Sequence, residues 1–254
     1  MPDPSRDPSR RVRGLVFGSV AQQYERFRLG YPPELVGAVI GYAGKTVGCA
    51  LEIGAGTGKA TRLFAAQGIE VTALEPDPQM AALLERSTRG ISVNPVVASF
   101  EQFTTARRFD LLYAAASWHW TDPVGRWSRA VDLLVPGGVL ALFGRPTDIK
   151  DPALFAAVEE IEKEVKSGDD KADVHLWSID DVVAAVGLID DLQLNLPSVV
   201  TSTAEEFLAR LATTSTYLIL KPQARADALH RVRAALPEQF EIDATVQLTL
   251  ARRG

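Results

Sequence analysis

Between positions 47 and 143 the chain alternates short, continuously apolar runs with stretches of helical periodicity, and few architectures accommodate that rhythm. Residues 47–53, 70–74, 93–98, 111–116 and 139–143 read as strands. Residues 57–67, 77–86 and 123–134 read as the helices between them, with Asp77, after Pro76, as an N-cap. Strands separated by helices of this length imply βαβ units and a parallel sheet. The strands do not alternate apolar with polar residues, which predicts that helices cover both faces. After Gly144 the pattern shifts to helices over 152–166, 179–186, 204–211 and 223–236, with strands over 192–199 and 240–250.

A chain of 254 residues is long enough to bury a sizeable core. The expected organisation is a flexible tail over 1–13 and a single domain over 14–254, with helical cap elements from about 14–45 and 150–235. The first eleven residues carry charge and proline but are followed by no apolar run, so they read as a tail and not as a secretory signal. A net charge of −5 supplies no broad basic surface for nucleic acid. No apolar stretch reaches the roughly 18–20 residues that span a bilayer. The single cysteine, Cys49, lies in an apolar run and reads as core, and the lack of a disulfide fits a cytoplasmic protein.

The first strand ends in Leu51-Glu52-Ile53-Gly54-Ala55-Gly56-Thr57-Gly58 and runs into a helix. Ligands of open parallel sheets bind beyond the carboxyl ends of the strands, so this turn is expected to lie under one. A phosphate-binding P-loop fails twice, because Ile53 stands where its first glycine belongs and Ala60 replaces the metal-binding hydroxyl. A dinucleotide fingerprint fits poorly, because the third glycine comes one position early. What is met is an acidic residue followed by glycine at every second position: Glu52, Gly54, Gly56 and Gly58.

Four further segments stand in order behind this turn: Ala73-Leu74-Glu75-Pro76-Asp77, Ala98-Ser99-Phe100-Glu101, the run from Phe109 to Trp120, and Leu134-Val135-Pro136-Gly137-Gly138-Val139-Leu140. With them the chain resembles the class I methyltransferases that use S-adenosylmethionine (SAM), in the type 11/25-like group acting on small molecules. The resemblance implies an α/β, Rossmann-like, seven-stranded, mostly parallel sheet with helices on both faces and an antiparallel final strand. It implies SAM as cofactor, a small-molecule acceptor as partner, and a monomer or homodimer. Gly54, Ala55 and Gly56 would pass under the methionine and ribose parts, with Glu52, Thr57 and Gly58 completing the turn. Glu75 would accept from both ribose hydroxyls, as an acceptor-only carboxylate can. Pro76 and Met80 would flank the adenine, and Ser99, Phe100 and Glu101 would meet its edge. The N-terminal segment from Phe17 to Arg28 also resembles family members, in which it folds over the cofactor. There Tyr24 and Arg28, four apart on one helix face, would reach it, and Arg28 would pair with its carboxylate.

Ala115, in the fourth strand, would meet the cofactor; on the acceptor side, Ser117-Trp118-His119-Trp120 follow that strand, where the family places its reacting centre. His119 is the candidate general base or substrate donor, with a purely structural histidine as its alternative. Trp118 is the candidate pocket wall or neighbour of the sulfonium, whereas Trp120 reads as core. His175 and Trp177 are candidates for the substrate pocket. The Trp-His-Trp segment is similar to that of carboxyl methyltransferases of the trans-aconitate type, which points to O-methylation of a small acid or hydroxyl. No metal-ligand spacing is present. A protein that binds SAM or its product without methylating, in a regulatory role, is the competing expectation.

Overall fold

The computed structural model describes residues 16–145, 148–165 and 187–254. Five strands, β1 (Cys49–Ile53), β2 (Glu70–Leu74), β3 (Val93–Val96), β4 (Phe109–Ala115) and β5 (Leu134–Gly144), pair in parallel in the order β3-β2-β1-β4-β5. They are followed by β6 (Asp148–Ile149), β7 (Leu188–Leu196), β8 (Val199–Thr203), β9 (Gln239–Asp243) and β10 (Val246–Arg253). Strand β10 enters antiparallel between β5 and β7 and completes a seven-stranded sheet. The expected mixed, mostly parallel architecture with an antiparallel last strand is therefore present.

The helices are α1 (Ala21–Phe27), α2 (Glu34–Ala43), α3 (Lys59–Ala65), α4 (Pro78–Ser87), α5 (Arg126–Leu133), α6 (Pro152–Val165), α7 (Ala204–Leu211), α8 (Ser215–Leu218) and α9 (Pro222–Ala235). Successive residues of a strand point to opposite faces, and the two sides of the sheet carry separate cores. On one side Ala50, Tyr113, Phe143 and Leu248 pack with Leu35 and Val39 of α2 and Phe64 of α3. On the other, Leu51, Leu112 and Leu140 pack with Trp118 and with Ala130 and Leu133 of α5. Continuous apolar strands are what two covered faces require.

Three expectations are corrected. The run 240–250 is two strands, because the chain turns at Ala244-Thr245 and crosses between sheets. Its first half, β9, pairs with β6 and β8 in a second, three-stranded sheet that the sequence did not announce. Val158, Ile161, Phe207, Val232 and Ile242 close a third core over it. The run 192–199 also divides, with β7 ending at Leu196 and β8 starting at Val199 across Pro197. The helix expected from 123 starts only at Arg126, because Gly125 before it is left-handed, with φ 78°. The tail over 1–13 and the helix over 179–186 lie outside the described residues.

The order places the topological switch between β1 and β4: from β1 the chain moves outward to β3, then returns to the other side of β1. The carboxyl ends of these two strands, Ile53 and Ala115, frame the crevice where a doubly wound sheet binds its ligand.

Candidate cofactor and substrate site

The turn after β1 is folded by a close approach. Gly54 has φ 66°, and a Cβ there would fall 2.6 Å from the Cβ of Ser117 in the turn after β4. The Ser117 hydroxyl donates to the Ile53 carbonyl and ties the two strand ends together. The Ala55 N–H donates to the Leu74 carbonyl at 2.8 Å, which binds the turn to β2. Above it lies a cleft of about 340 Å³. Its walls include Gly54 and Gly56, Glu75, Pro76 and Met80, and the stretch from Ala98 to Gln102.

Glu75 sits where β2 ends and is only 6% exposed. Its Oε2 accepts from the Gly56 N–H at 2.7 Å and its Oε1 from the Asp77 N–H at 2.9 Å. Burial pushes its carboxyl up to about 7, against the pull of these two N–H groups. Each oxygen has a second lone pair to offer, so a vicinal diol can bind the same carboxylate. Glu52, directly below the turn, is fully buried, and burial pushes it up to about 8. Its Oε2 accepts from the Thr61 hydroxyl at 2.5 Å and the Tyr113 hydroxyl at 3.0 Å. At neutral pH Glu52 is mainly the uncharged acid, a structural post under the turn more than a charged contact.

The N-terminal segment is docked over the cleft by two carboxylates. Asp77 caps α4 through the N–H groups of Gln79 at 2.8 Å and Met80 at 3.1 Å, the role expected of it from sequence. Its Oδ2 also accepts from the Gly18 N–H at 3.1 Å, and any side chain at Gly18 would meet these oxygens at 2.4 Å. Glu25 on α1 accepts from the Thr57 hydroxyl at 2.5 Å and from Arg62 at 2.9 Å. The result is an aromatic wall: Phe17 stands 6.0 Å from both the Tyr24 and Trp120 rings, and all three line the cleft.

A second cavity adjoins the first and shares Tyr24, Gly54, Gly56, Ala115 and Ala116 with it. It adds Arg28, Tyr31, Lys59, Arg145 and Arg210, with Glu52, Ala55 and Thr57. Among the residues expected from sequence, Tyr24, Arg28, Glu52, Gly54, Ala55, Gly56, Thr57, Glu75, Pro76, Met80, Ser99, Phe100, Glu101 and Ala115 therefore line these two connected spaces. Gly58 lines neither and instead donates its N–H to the Ala55 carbonyl at 3.0 Å.

The two tryptophans exchange their expected places. Trp118 is 0% exposed and packs against Phe100 at 5.8 Å and Trp127 at 4.9 Å, whereas Trp120 faces the cleft. They belong to one 3-10 turn, Trp118–Trp120, in which residues two apart point in different directions. His119 lines neither cavity, and its ring packs 4.3 Å from Trp120. His175 and Trp177 lie outside the described residues. Phe17, Tyr31, Arg145 and Arg210 were not expected. Tyr31 stands beside Pro32-Pro33, which mark a break in the chain but no ligand, and the two arginines carry no signal. Among the described residues no group of three or more His, Cys, Asp or Glu side chains is placed to hold a metal ion, and no helix is long and apolar enough to cross a membrane.

A turn under a cleft at the switch point of a parallel sheet is where α/β domains of this topology bind their ligands. The comparisons narrow that class. Residues 51–142 match the family described as a methyltransferase domain. Uncharacterized methyltransferases of Mycobacterium tuberculosis and Mycobacterium bovis are 35% identical over 140 residues, 55% of this chain and 56% of theirs. The match thus spans little more than half the length of these relatives. The solved structure of a putative type II methyltransferase from Anaeromyxobacter dehalogenans superposes with a TM-score of 0.56 at 23% identity, over 90% of this chain and 97% of that one. Phosphoethanolamine N-methyltransferase 2 of Haemonchus contortus, solved with phosphomonomethylethanolamine and S-adenosylhomocysteine, gives a TM-score of 0.52 at 17% identity, over 93% of this chain and 57% of that one. Residues 51–142 are thus similar to a methyltransferase domain, and the chain shares its fold with solved methyltransferase structures.

Proposed function

We propose that the protein transfers a methyl group from SAM to a small-molecule acceptor. The observation that carries this reading is the buried Glu75 carboxylate at the wall of the cleft, next to the glycine turn and continuous with a second cavity. The residues present fit the cofactor. Glu75 would hold the ribose diol, Met80 and Phe100 offer apolar walls to the adenine, and the space above Gly54 and Gly56 would take the methionine portion. Arg28, beyond the turn, would meet the cofactor's carboxylate.

When bound, SAM supplies a sulfonium-activated methyl: the bond to the nucleophile forms as the carbon–sulfur bond breaks, its electron pair leaving with sulfur. The chain's contribution is then to hold the acceptor in line and exclude water. Phe17, Tyr24 and Trp120 cover the cleft for the second task. A base is needed only where the nucleophile must lose a proton. With His119 off the walls of both cavities, the position favours an acceptor already deprotonated at neutral pH, such as a carboxylate, whose methylation yields a neutral ester with no proton to place. This supports the small-acid reading over the hydroxyl one.

Calorimetry with S-adenosylhomocysteine (SAH) and NAD, followed by a count of SAH formed across a panel of small carboxylic acids, phenols and amines, tests the proposal. Micromolar or tighter SAH binding with no NAD binding, and turnover on acids, is expected. SAH binding with no turnover on any class would point instead to a non-methylating SAM-binding protein.

A further inference from the structure

Three guanidiniums meet at the second cavity. Arg28 follows α1, Arg145 follows β5 and Arg210 lies in the last turn of α7. Arg28 is fixed: its Nε donates to the Thr213 hydroxyl at 2.9 Å and its Nη2 to the Thr213 carbonyl at 3.1 Å. The same hydroxyl donates to the Arg210 carbonyl at 2.7 Å, so one threonine ties the Arg28 guanidinium to the backbone of Arg210. Arg210 is only 4% exposed. Its Nη2, like the Nε of Arg145, has no hydrogen-bond partner among the described residues. Arg145 lies 5.7 Å from the Tyr31 ring centroid.

Among the described residues no carboxylate forms an ion pair with Arg28, Arg145 or Arg210. The other cations nearby are matched, since Lys59 and Arg62 both pair with Glu25. Glu52 shares the cavity wall but is held mainly uncharged by burial. Burial and the neighbouring Arg28 lower Arg210 to about 10, so it stays charged at neutral pH. A buried cation without a partner is costly, and a fork of donors suits a planar oxyanion. The cofactor does not offset this charge. Its methionine end brings a sulfonium and an ammonium against one carboxylate, which Arg28 can take.

We propose that Arg145 and Arg210 form a binding site for a carboxylate of the methyl acceptor, beside the cofactor's methionine end. The assignment rests on reading the cleft as a SAM site.

The test uses malonate as the probe, titrated into the protein alone and into its SAH complex, at ionic strength matched with sodium chloride. Wild type should bind malonate. Arg145→Met and Arg210→Met should each weaken it at least tenfold, while SAH affinity moves less than threefold. Arg210→Lys keeps the charge without the fork and should lie between. Should the buried Arg210 variants fail to fold, Arg145→Met on the half-buried partner reads the same site. A wild type with no preference for malonate over chloride overturns the proposal. So does a tenfold loss of SAH affinity in Arg145→Met with methylthioadenosine binding unchanged, which would give the arginine to the cofactor's carboxylate. Inorganic phosphate bound tenfold tighter than malonate overturns the carboxylate class. A protein that binds malonate through these arginines but does not bind SAH overturns the cofactor reading and leaves the anion site standing.

Discussion

The Glu75 carboxylate accepts a hydrogen bond from the Gly56 N–H at 2.7 Å, so one side chain joins the end of β2 to the glycine turn after β1. On the proposed reading, the protonation of this carboxylate and the binding of a ribose diol are coupled. Burial holds it at about 7, and two hydroxyl donors favour the ionised form. SAH affinity should rise with pH and level off above that value, being roughly tenfold weaker at pH 6 than on the plateau. Glu75→Gln should abolish the dependence. Glu75→Ala should weaken SAH on the order of a hundredfold, as the loss of two charge-assisted hydrogen bonds implies. Calorimetry between pH 5.5 and 8.5 reads all three, and a flat wild-type profile would remove Glu75 from the site.

Glu52 acts on stability in the same pH range without touching the diol. Its pKa is raised in the folded chain to about 8, so the native state keeps a proton that the unfolded state gives up from about pH 4.5. Its contribution is most favourable below that lower value and is lost as pH rises towards 8, by on the order of a few kcal/mol. Glu52→Gln retains an acceptor for Thr61 or Tyr113 and should flatten the decline. Urea unfolding at pH 5, 6.5 and 8, with wild type and variant compared at each, would show it.

Gly54→Ala combines a left-handed backbone with a methyl 2.6 Å from the Ser117 Cβ. A loss of about 2–4 kcal/mol is expected from strain and overpacking together. Ser117→Ala should not rescue it, because the obstructing atom is the Cβ itself. Ser117→Gly should restore part of the loss in a double-mutant cycle, and an equal effect of the two rescues would place the clash elsewhere.

Gly18→Ala drives a methyl into the Asp77 carboxylate and should lift the N-terminal segment from α4. The contact lies past the end of β2 and joins no two strands, so the melting temperature should change little, by no more than a few degrees. SAH should dissociate at least fivefold faster, because Phe17 and Tyr24 leave the cleft with the segment. Stopped-flow displacement measures this, and an unchanged off-rate would mean that the segment does not cover the cofactor.

What the sequence disclosed and what it withheld divide along a physical line. The Asp77 cap, the turn from Gly54 to Gly58 and the strands β1 and β2 depend on neighbouring residues, and local chemistry announces them. The split of residues 240–250 depends on a tertiary crossing: the Ala244 N–H donates to the Ser198 carbonyl, and no change of periodicity marks the corner. The order of Trp118 and Trp120 depends on how one short turn is rotated against the sheet. Arg145 and Arg210 come from different layers of the fold, after β5 and in α7, so no spacing could link them.

Among the described residues, strand β7 has a single neighbour in the sheet, and that neighbour is β10, which is made some fifty residues later. During synthesis β7 must therefore wait with both edges unpaired until β10 threads between it and β5. The parallel half of the sheet, with the glycine turn, can assemble earlier from contiguous units. A ribosome paused between these two strands would display a nearly complete cofactor crevice attached to an exposed, aggregation-prone ribbon. That interval is where a chaperone has most to gain by holding the nascent chain.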